Sequence, residues 1–132
     1  MGMTNYFIDT NELIRAITES DPFSVRLFKD TTKKKIINDY VLKETRRVLS
    51  EDFLYSHYDI DLAMEKISAK FRVVSNPPKN RFKKLNKIRD KSDRPIVQSA
   101  IDHECILITR DRRTYQDAKI YLETKTAKEI YE

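Results

Sequence analysis

The chain has 132 residues, 39% of them hydrophobic and 36% charged, with a net charge of +5 and one glycine. That length holds one packed domain rather than two, and its apolar content excludes a disordered chain. The lone glycine excludes the glycine-rich phosphate cradles of nucleotide-triphosphate and dinucleotide chemistry, no apolar run reaches the ~20 residues of a membrane helix, and the basic balance favours polyanionic partners such as RNA or DNA.

In chain order, Met1-Gly2-Met3-Thr4-Asn5 lacks the basic start and long apolar stretch of a signal peptide. Tyr6-Phe7-Ile8 predicts a short strand ending at Asp9, and Leu13, Ile14 and Ile17 then recur at helical spacing. Asp21-Pro22 punctuates that helix, and Phe23 to Phe28 opens another helical turn. Lys34-Lys35-Ile36-Ile37 predicts a second strand. Asn38 suits the N-cap of a helix whose face is Val41, Leu42, Thr45, Val48 and Leu49. The next helix is predicted over Ile60 to Phe71, with Leu62, Ala63, Ile67 and Phe71 inward. Arg72-Val73-Val74-Ser75 predicts a third strand, stopped by Asn76-Pro77-Pro78. After a basic stretch from Lys79 to Lys91, Ser92 caps a helix with Pro95 in its first turn and Ile96, Val97, Ala100 and Ile101 inward. Cys105 to Thr109 predicts a fourth strand, Ile120-Tyr121-Leu122 a fifth, and Thr126 to Tyr131 a closing helix.

Strands alternating with helices, two of them nearly all apolar, define an α/β chain with a parallel sheet covered on both faces. One domain over residues 1–132 is expected. The single Cys105 cannot form an internal disulfide and reads as a buried, inert thiol within its apolar strand. With no signal peptide in view, these features point to the cytoplasm. Few glycines beside many Lys, Arg and Glu also fit a thermophile's composition.

Ligands of open parallel sheets bind at the carboxyl ends of the strands. Asp9 directly follows the first strand, and Asp111 lies just past the fourth. Asp93 precedes Ile96, Val97 and Ala100 by three, four and seven residues, which puts it on the inward stripe of its helix. Glu44, three after Val41 and four before Val48, borders an apolar face. Taken singly, each acid has an ordinary structural explanation. Asp93 suits the positive start of a helix, Glu44 can pair with Lys43, Arg46 or Arg47, and Asp111 sits beside Arg110 and Arg112. Jointly, clustered carboxylates repel and raise one another's pKa, which a hard oxygen-seeking cation such as Mg²⁺ or Mn²⁺ compensates. His57 and His103 lie far apart without partner ligands, which leaves no zinc site in view.

The motifs resemble those of the PIN-domain family. Phe7-Ile8-Asp9-Thr10-Asn11 resembles its opening hydrophobic-Asp-Thr/Ser-Asn motif, and Ile36 to Glu44 its second-acid segment. Asp93 with Ala100 seven residues on resembles the third-acid motif, and Ile106-Leu107-Ile108-Thr109-Arg110-Asp111 the fourth. The resemblance covers almost the whole chain. It implies a three-layer α/β/α fold with strand order 3-2-1-4-5. It also implies a cluster of Asp9, Glu44, Asp93 and Asp111 binding Mg²⁺ or Mn²⁺, with Thr10, Asn11 and Thr109 holding carboxylates and water from behind. The activity it implies is metal-dependent cleavage of RNA. The family includes small toxins of VapBC toxin–antitoxin pairs, which implies an antitoxin partner and a homodimer, and also larger RNA-processing nucleases. This chain departs from many relatives where His103-Glu104 replaces the usual glycine before the fourth strand, and in the basic run after Asp111. Asp90, three before Asp93, is a competing ligand candidate.

Lys91, Arg94, Arg110, Arg112 and Arg113 flank these acids and are candidates for holding phosphates. For the wider run from Lys79 to Lys91 a solvated surface is an equal alternative. Tyr55, His57 and Tyr58 suit base stacking less well than a helix corner or a dimer face. Two rivals to a nuclease stand: a PIN-like RNA-binding module that does not cleave, and a metal-dependent phosphatase, whose Asp-x-Asp-x-Thr signature fails because Asn11 follows Thr10.

Overall fold

The computed structural model describes residues 4–132, so Met1, Gly2 and Met3, read above as part of a start unlike a signal peptide, lie outside the described residues. Strands β1 (Asn5–Ile8), β2 (Lys34–Asn38), β3 (Arg72–Val74), β4 (Cys105–Ile108) and β5 (Thr124–Lys125) form one sheet in the order β3-β2-β1-β4-β5. Every pairing is parallel. Successive residues of a strand point to opposite faces. Phe7 and Ile8, Ile36 and Ile37, and Leu107 and Ile108 are nonetheless all buried, because helices cover both faces. The expected three-layer fold and strand order are observed.

The helices are α1 (Thr10–Ile17), α2 (Pro22–Lys29), α3 (Asp39–Glu51), α4 (His57–Lys70), α5 (Lys79–Phe82), α6 (Arg94–Asp102), α7 (Arg112–Ala118) and α8 (Ala127–Tyr131). Local chemistry fixes their starts. Asp21 accepts from the Phe23 and Ser24 N–H groups with Pro22 in the first turn, and Asn38 accepts from Val41 N–H at 2.9 Å. Thr126 and Glu129 close a capping box around the start of α8. The main core gathers around Phe7, Ile37, Ile96, Leu107 and Ile108, and a second cluster of Ile14, Leu49, Ile60 and Ala63 joins α1, α3 and α4. Among the described residues no helix is long and apolar enough to cross a membrane.

Four expectations are corrected. The fifth strand is Thr124–Lys125, not Ile120 to Leu122. Tyr121 and Leu122 donate their N–H groups back to the Ala118 carbonyl, which turns the chain, and Ile120 is 63% exposed. Leu62 faces outward, because the buried stripe of α4 is Ile60, Ala63 and Ile67 and a residue two on from Ile60 falls off it. Ser92 does not cap the helix before Ile96. It lies inside a 3-10 turn, Lys91–Asp93, where its own N–H and hydroxyl donate to Asp90 Oδ1. The basic run after Asp111, to which the chain-order reading assigns no helix or strand, forms α7, started by Asp111 itself.

Candidate functional site

Strand register brings the first pair of site residues together. Ile8 of β1 lies opposite Ile108 of β4, so the next residues, Asp9 and Thr109, emerge side by side at the carboxyl edge. The Asp9 N–H donates to Ile108 O at 3.0 Å, and the Thr109 hydroxyl donates to Asp9 Oδ2 at 2.7 Å. Asp9 Oδ1 accepts from the Thr10 N–H at 2.7 Å, which makes Asp9 the N-cap of α1. Thr10 and Thr109 are buried with it.

The other acids arrive from helix ends. Asn38, at the end of β2, donates to Ser99 Oγ at 2.8 Å and Pro95 O at 3.3 Å, tying β2 and the start of α3 to α6. This seats the start of α6, and Asp93 just before it, beside the sheet edge. Asp93 makes no side-chain cap bond to α6. Its Oδ2 instead accepts from the Thr114 hydroxyl at 2.7 Å, and that hydroxyl lies 3.1 Å from Asp111 Oδ1. Asp111 Oδ1 also caps α7 through the Thr114 N–H, and the Asp111 N–H reaches Thr109 Oγ at 3.2 Å. Glu44, half-buried on α3, lies 3.4 Å from the Tyr40 hydroxyl.

These carboxylates feel one another. Burial pushes the Asp9 carboxyl up to about 7, with Asp93 and Glu44 adding repulsion against the lowering bonds from Thr109 and Thr10. Burial likewise pushes Asp93 up to about 6, reinforced by Asp90, Asp111 and Glu44 and opposed by the Thr114 bond. Among the described residues, no ion pair involves Asp9, Glu44, Asp93 or Asp111. No cationic side chain therefore offsets whatever negative charge these carboxylates carry. Its donors are all oxygen, and the Thr10 hydroxyl beside Asp9 is buried without a partner. That donor set suits a hard divalent cation. As the side chains stand, no group of three among the described residues is close enough to chelate one ion, since Asp9 and Asp93 are each turned to a threonine.

The structure sorts the remaining candidates. Asn11 is exposed in the first turn of α1. Asp90 is exposed, and the bonds from Ser92 hold its carboxyl below the usual range, so it faces its own turn rather than Asp9. Arg110 forms an ion pair with buried Asp21. Arg112, Arg113 and Lys91 are exposed, and Arg94 is half-buried with its Nε donating to Ile88 O at 3.0 Å. Cys105 is a buried free thiol pushed up to about 11 by burial. Tyr55 packs at the corner of α1, α3 and α4, while Tyr58 is 71% exposed. Sequence reading missed Thr114, Tyr40 and Ser99. For Thr114 the signal was present, because Asp111 three residues ahead is an N-cap spacing. It also passed over Glu12, buried in α1, which accepts from Ser24 Oγ at 2.6 Å and whose carboxyl burial raises.

A parallel α/β sandwich with acids at the carboxyl edge of its central strands is the class of protein this geometry defines. The sequence matches the PIN domain family over residues 6–120, and the chain belongs to that family. PIN domains are generally nucleases. Among solved structures the chain is similar to PAE2754 from Pyrobaculum aerophilum, with a TM-score of 0.73 at 16% identity over 96% of this chain and 92% of that one. It is similar to VapBC-1 from nontypeable Haemophilus influenzae, with a TM-score of 0.68 at 17% identity over 95% and 99%. The PIN domain endonuclease Utp24 gives a TM-score of 0.52 at 19% identity over 86% and 75%. At these identities the likeness is one of fold. A search of curated proteins finds no match.

Proposed function

We propose that the chain is a Mg²⁺- or Mn²⁺-dependent endoribonuclease whose site is Asp9, Glu44, Asp93 and Asp111. The observation that carries this reading is the pair of carboxyls, buried Asp9 and half-buried Asp93, raised by desolvation and repulsion and met by no cationic side chain. A protein keeps such charge at a strand edge when an ion offsets it. Asp9, Asp93 and Asp111 would hold the ion, with Glu44 binding it or orienting water. A divalent cation there supplies activation of water and stabilisation of charge at a scissile phosphodiester. Thr109 and Thr114 would hold the Asp9 and Asp93 carboxylates in place through their hydroxyl hydrogen bonds. Arg112, Arg113, Lys91 and Arg94 lie outside the acids, where they offer phosphate contacts.

Cleavage of RNA by the full chain is the test. Activity with Mg²⁺ or Mn²⁺ should vanish with chelator and fall by about 100-fold or more in Asp9→Asn. Activity that survives both treatments sinks the site.

A toxin role with an antitoxin partner is supported by the near-complete coverage of the VapBC-1 chain. The likeness to the PIN domain endonuclease Utp24 fits the alternative of a nuclease outside a toxin–antitoxin pair. Growth arrest on expressing the chain alone, lost in Asp9→Asn, selects the toxin. The exposed Leu54, Tyr58 and Leu62 at the α3–α4 corner offer a face for a homodimer, read by its mass in solution.

A further inference from the structure

Arg110 stands in the chain between Thr109 and Asp111, both part of the proposed site, yet its guanidinium pairs with neither. It pairs with Asp21 Oδ2, and Asp21 is buried. The other oxygen, Asp21 Oδ1, accepts from the Phe23 and Ser24 N–H groups at 2.9 and 3.1 Å and starts α2. Ser24 Oγ in turn donates to Glu12 Oε2 at 2.6 Å. Glu12 lies in the first turn of α1, the helix that Asp9 caps. Thr109 closes the circuit by donating to Asp9 Oδ2 at 2.7 Å. Asp9, Thr109, Arg110, Asp21, Ser24 and Glu12 thus form a ring of contacts that begins and ends at the start of α1.

The ring matters because of how the chain around Asp111 is held. Arg110, Asp111, Arg112 and Arg113 are exposed and carry no apolar side chain, so hydrophobic burial contributes little to fixing them. Polar contacts hold them instead. The Asp111 N–H donates to Thr109 Oγ at 3.2 Å, and the Thr114 hydroxyl joins Asp111 to Asp93. Among the described residues, the Arg110–Asp21 pair is the one polar contact that ties residues 110–113 to α1 or α2 and their caps. Without Arg110, Asp21 is a buried charge left without a counter-charge. Lys128 lines the same pocket of about 310 Å³, but it pairs with Glu132 at 3.8 Å. Burial raises the Glu12 carboxyl, and the Ser24 bond and the charges of Arg110 and Arg15 oppose that rise.

Carboxylates from separate elements hold one cation only when those elements keep a fixed separation. Loss of a group that orients a ligand costs about 10–100-fold in metal affinity or activity. Asp9 is fixed by its backbone bond to β4 and by its helix cap. We infer that Arg110 is a positioning residue: by gripping Asp21 it locks the end of β4 to the starts of α1 and α2, and so sets where Asp111 stands relative to Asp9. This role rests on the nuclease site proposed above, and it takes Arg110 out of the set of phosphate contacts.

The test reads Mn²⁺ binding by the full chain without substrate, from the electron paramagnetic resonance signal of the free ion. Beside it are measured kcat and KM on an RNA oligonucleotide, and the melting temperature in chelator. Arg110→Met should weaken Mn²⁺ binding and lower kcat by about ten-fold each, with KM for RNA unchanged. It also strips Asp21 of its counter-charge, so the melting temperature falls. Arg110→Met combined with Asp21→Asn removes both charges and keeps a good helix cap. That double variant should regain the melting temperature but neither the Mn²⁺ affinity nor kcat. Arg110→Lys, which keeps the charge, should recover part of both. Lys128→Ala, in the same pocket, should match the wild type. Mn²⁺ affinity and kcat that return with the melting temperature in the double variant would make Arg110 purely structural and overturn the inference. So would a raised KM with kcat and Mn²⁺ affinity untouched, the mark of a phosphate contact. Full cleavage by Asp9→Asn, or no Mn²⁺ binding by the wild type, removes the nuclease site and the positioning role together. An inactive Asp9→Asn beside unaltered Arg110 variants removes the positioning role alone.

Discussion

The Thr109 hydroxyl on Asp9 is a single bond with a measurable charge. It favours the ionised carboxylate, against burial that pushes Asp9 up to about 7. Thr109→Val removes the donor and keeps the shape. The acid limb of the kcat/KM profile against pH should then move to higher pH, since a carboxyl without its donor holds its proton longer. A profile that keeps its position would detach Asp9 from that limb. Asp93 allows a second measurement, on the metal-free protein. Its folded pKa of about 6 lies above an ordinary aspartate near 4. Between those values the folded state binds more protons than the unfolded, so stability falls as pH rises and stays lower above pH 6. Asp93→Asn should therefore leave the melting temperature in chelator unchanged or raise it at pH 8, with less gain at pH 5. A loss of several kcal/mol would mark Asp93 as a structural anchor of Thr114.

At the scale of elements, buried Lys35 on β2 closes the end of α2. Its Nζ donates to Leu27 O at 2.9 Å and Phe28 O at 2.6 Å, carbonyls of the last turn, of which Leu27 O also accepts from the Asp30 N–H at 3.3 Å. Burial, with Lys70 adding repulsion, brings its pKa down to about 8. Lys35→Met should cost about 1–3 kcal/mol in urea unfolding at pH 7, because the carbonyls stay buried. From pH 8 to about 10.4, the usual lysine value, the unfolded chain binds the extra proton, so Lys35 adds stability as pH rises. The gap between wild type and variant should widen over that window. Elements were largely legible where periodicity and caps agreed, as at Asn38. They were misread where composition misled. Ile120, Tyr121 and Leu122 are strand formers, yet a turn following a short helix claimed them. Arg112 to Ala118 has no apolar stripe long enough to announce a helix, and the Asp111 cap starts it.

Across the whole molecule, the last helix is locked to one of the first. The Tyr131 hydroxyl donates to Asp30 Oδ2 at 2.6 Å, and Arg26 of α2 stacks on the Tyr131 ring at 4.1 Å. Thr32, Tyr131 and Lys33 hold the Asp30 carboxyl well below the usual range. Tyr131→Phe should lose about 1 kcal/mol of unfolding free energy, and Tyr131→Ala more through the lost ring contact. Equal stability of Tyr131→Phe and wild type would show that packing alone holds α8. The strand order serves the site in the same way. With β1 and β4 adjacent in the middle of the sheet, residues a hundred positions apart meet at one edge.

The sequence by itself determined the α/β class, the first four strands and the identity of the acids that stand at or near the carboxyl edge. These are local properties, written in runs of apolar residues, caps and short motifs. Only the tertiary structure decided what each acid faces. Strand register set Asp9 beside Thr109, and helix docking through Asn38 and Ser99 brought Asp93 to Thr114. It also divided the cations, giving Arg110 to Asp21 and leaving Lys79 and Lys83 on an apolar groove. Charge and hydrogen bonding act over a few ångströms in space, and sequence spacing carries no measure of that distance once the chain has folded back on itself.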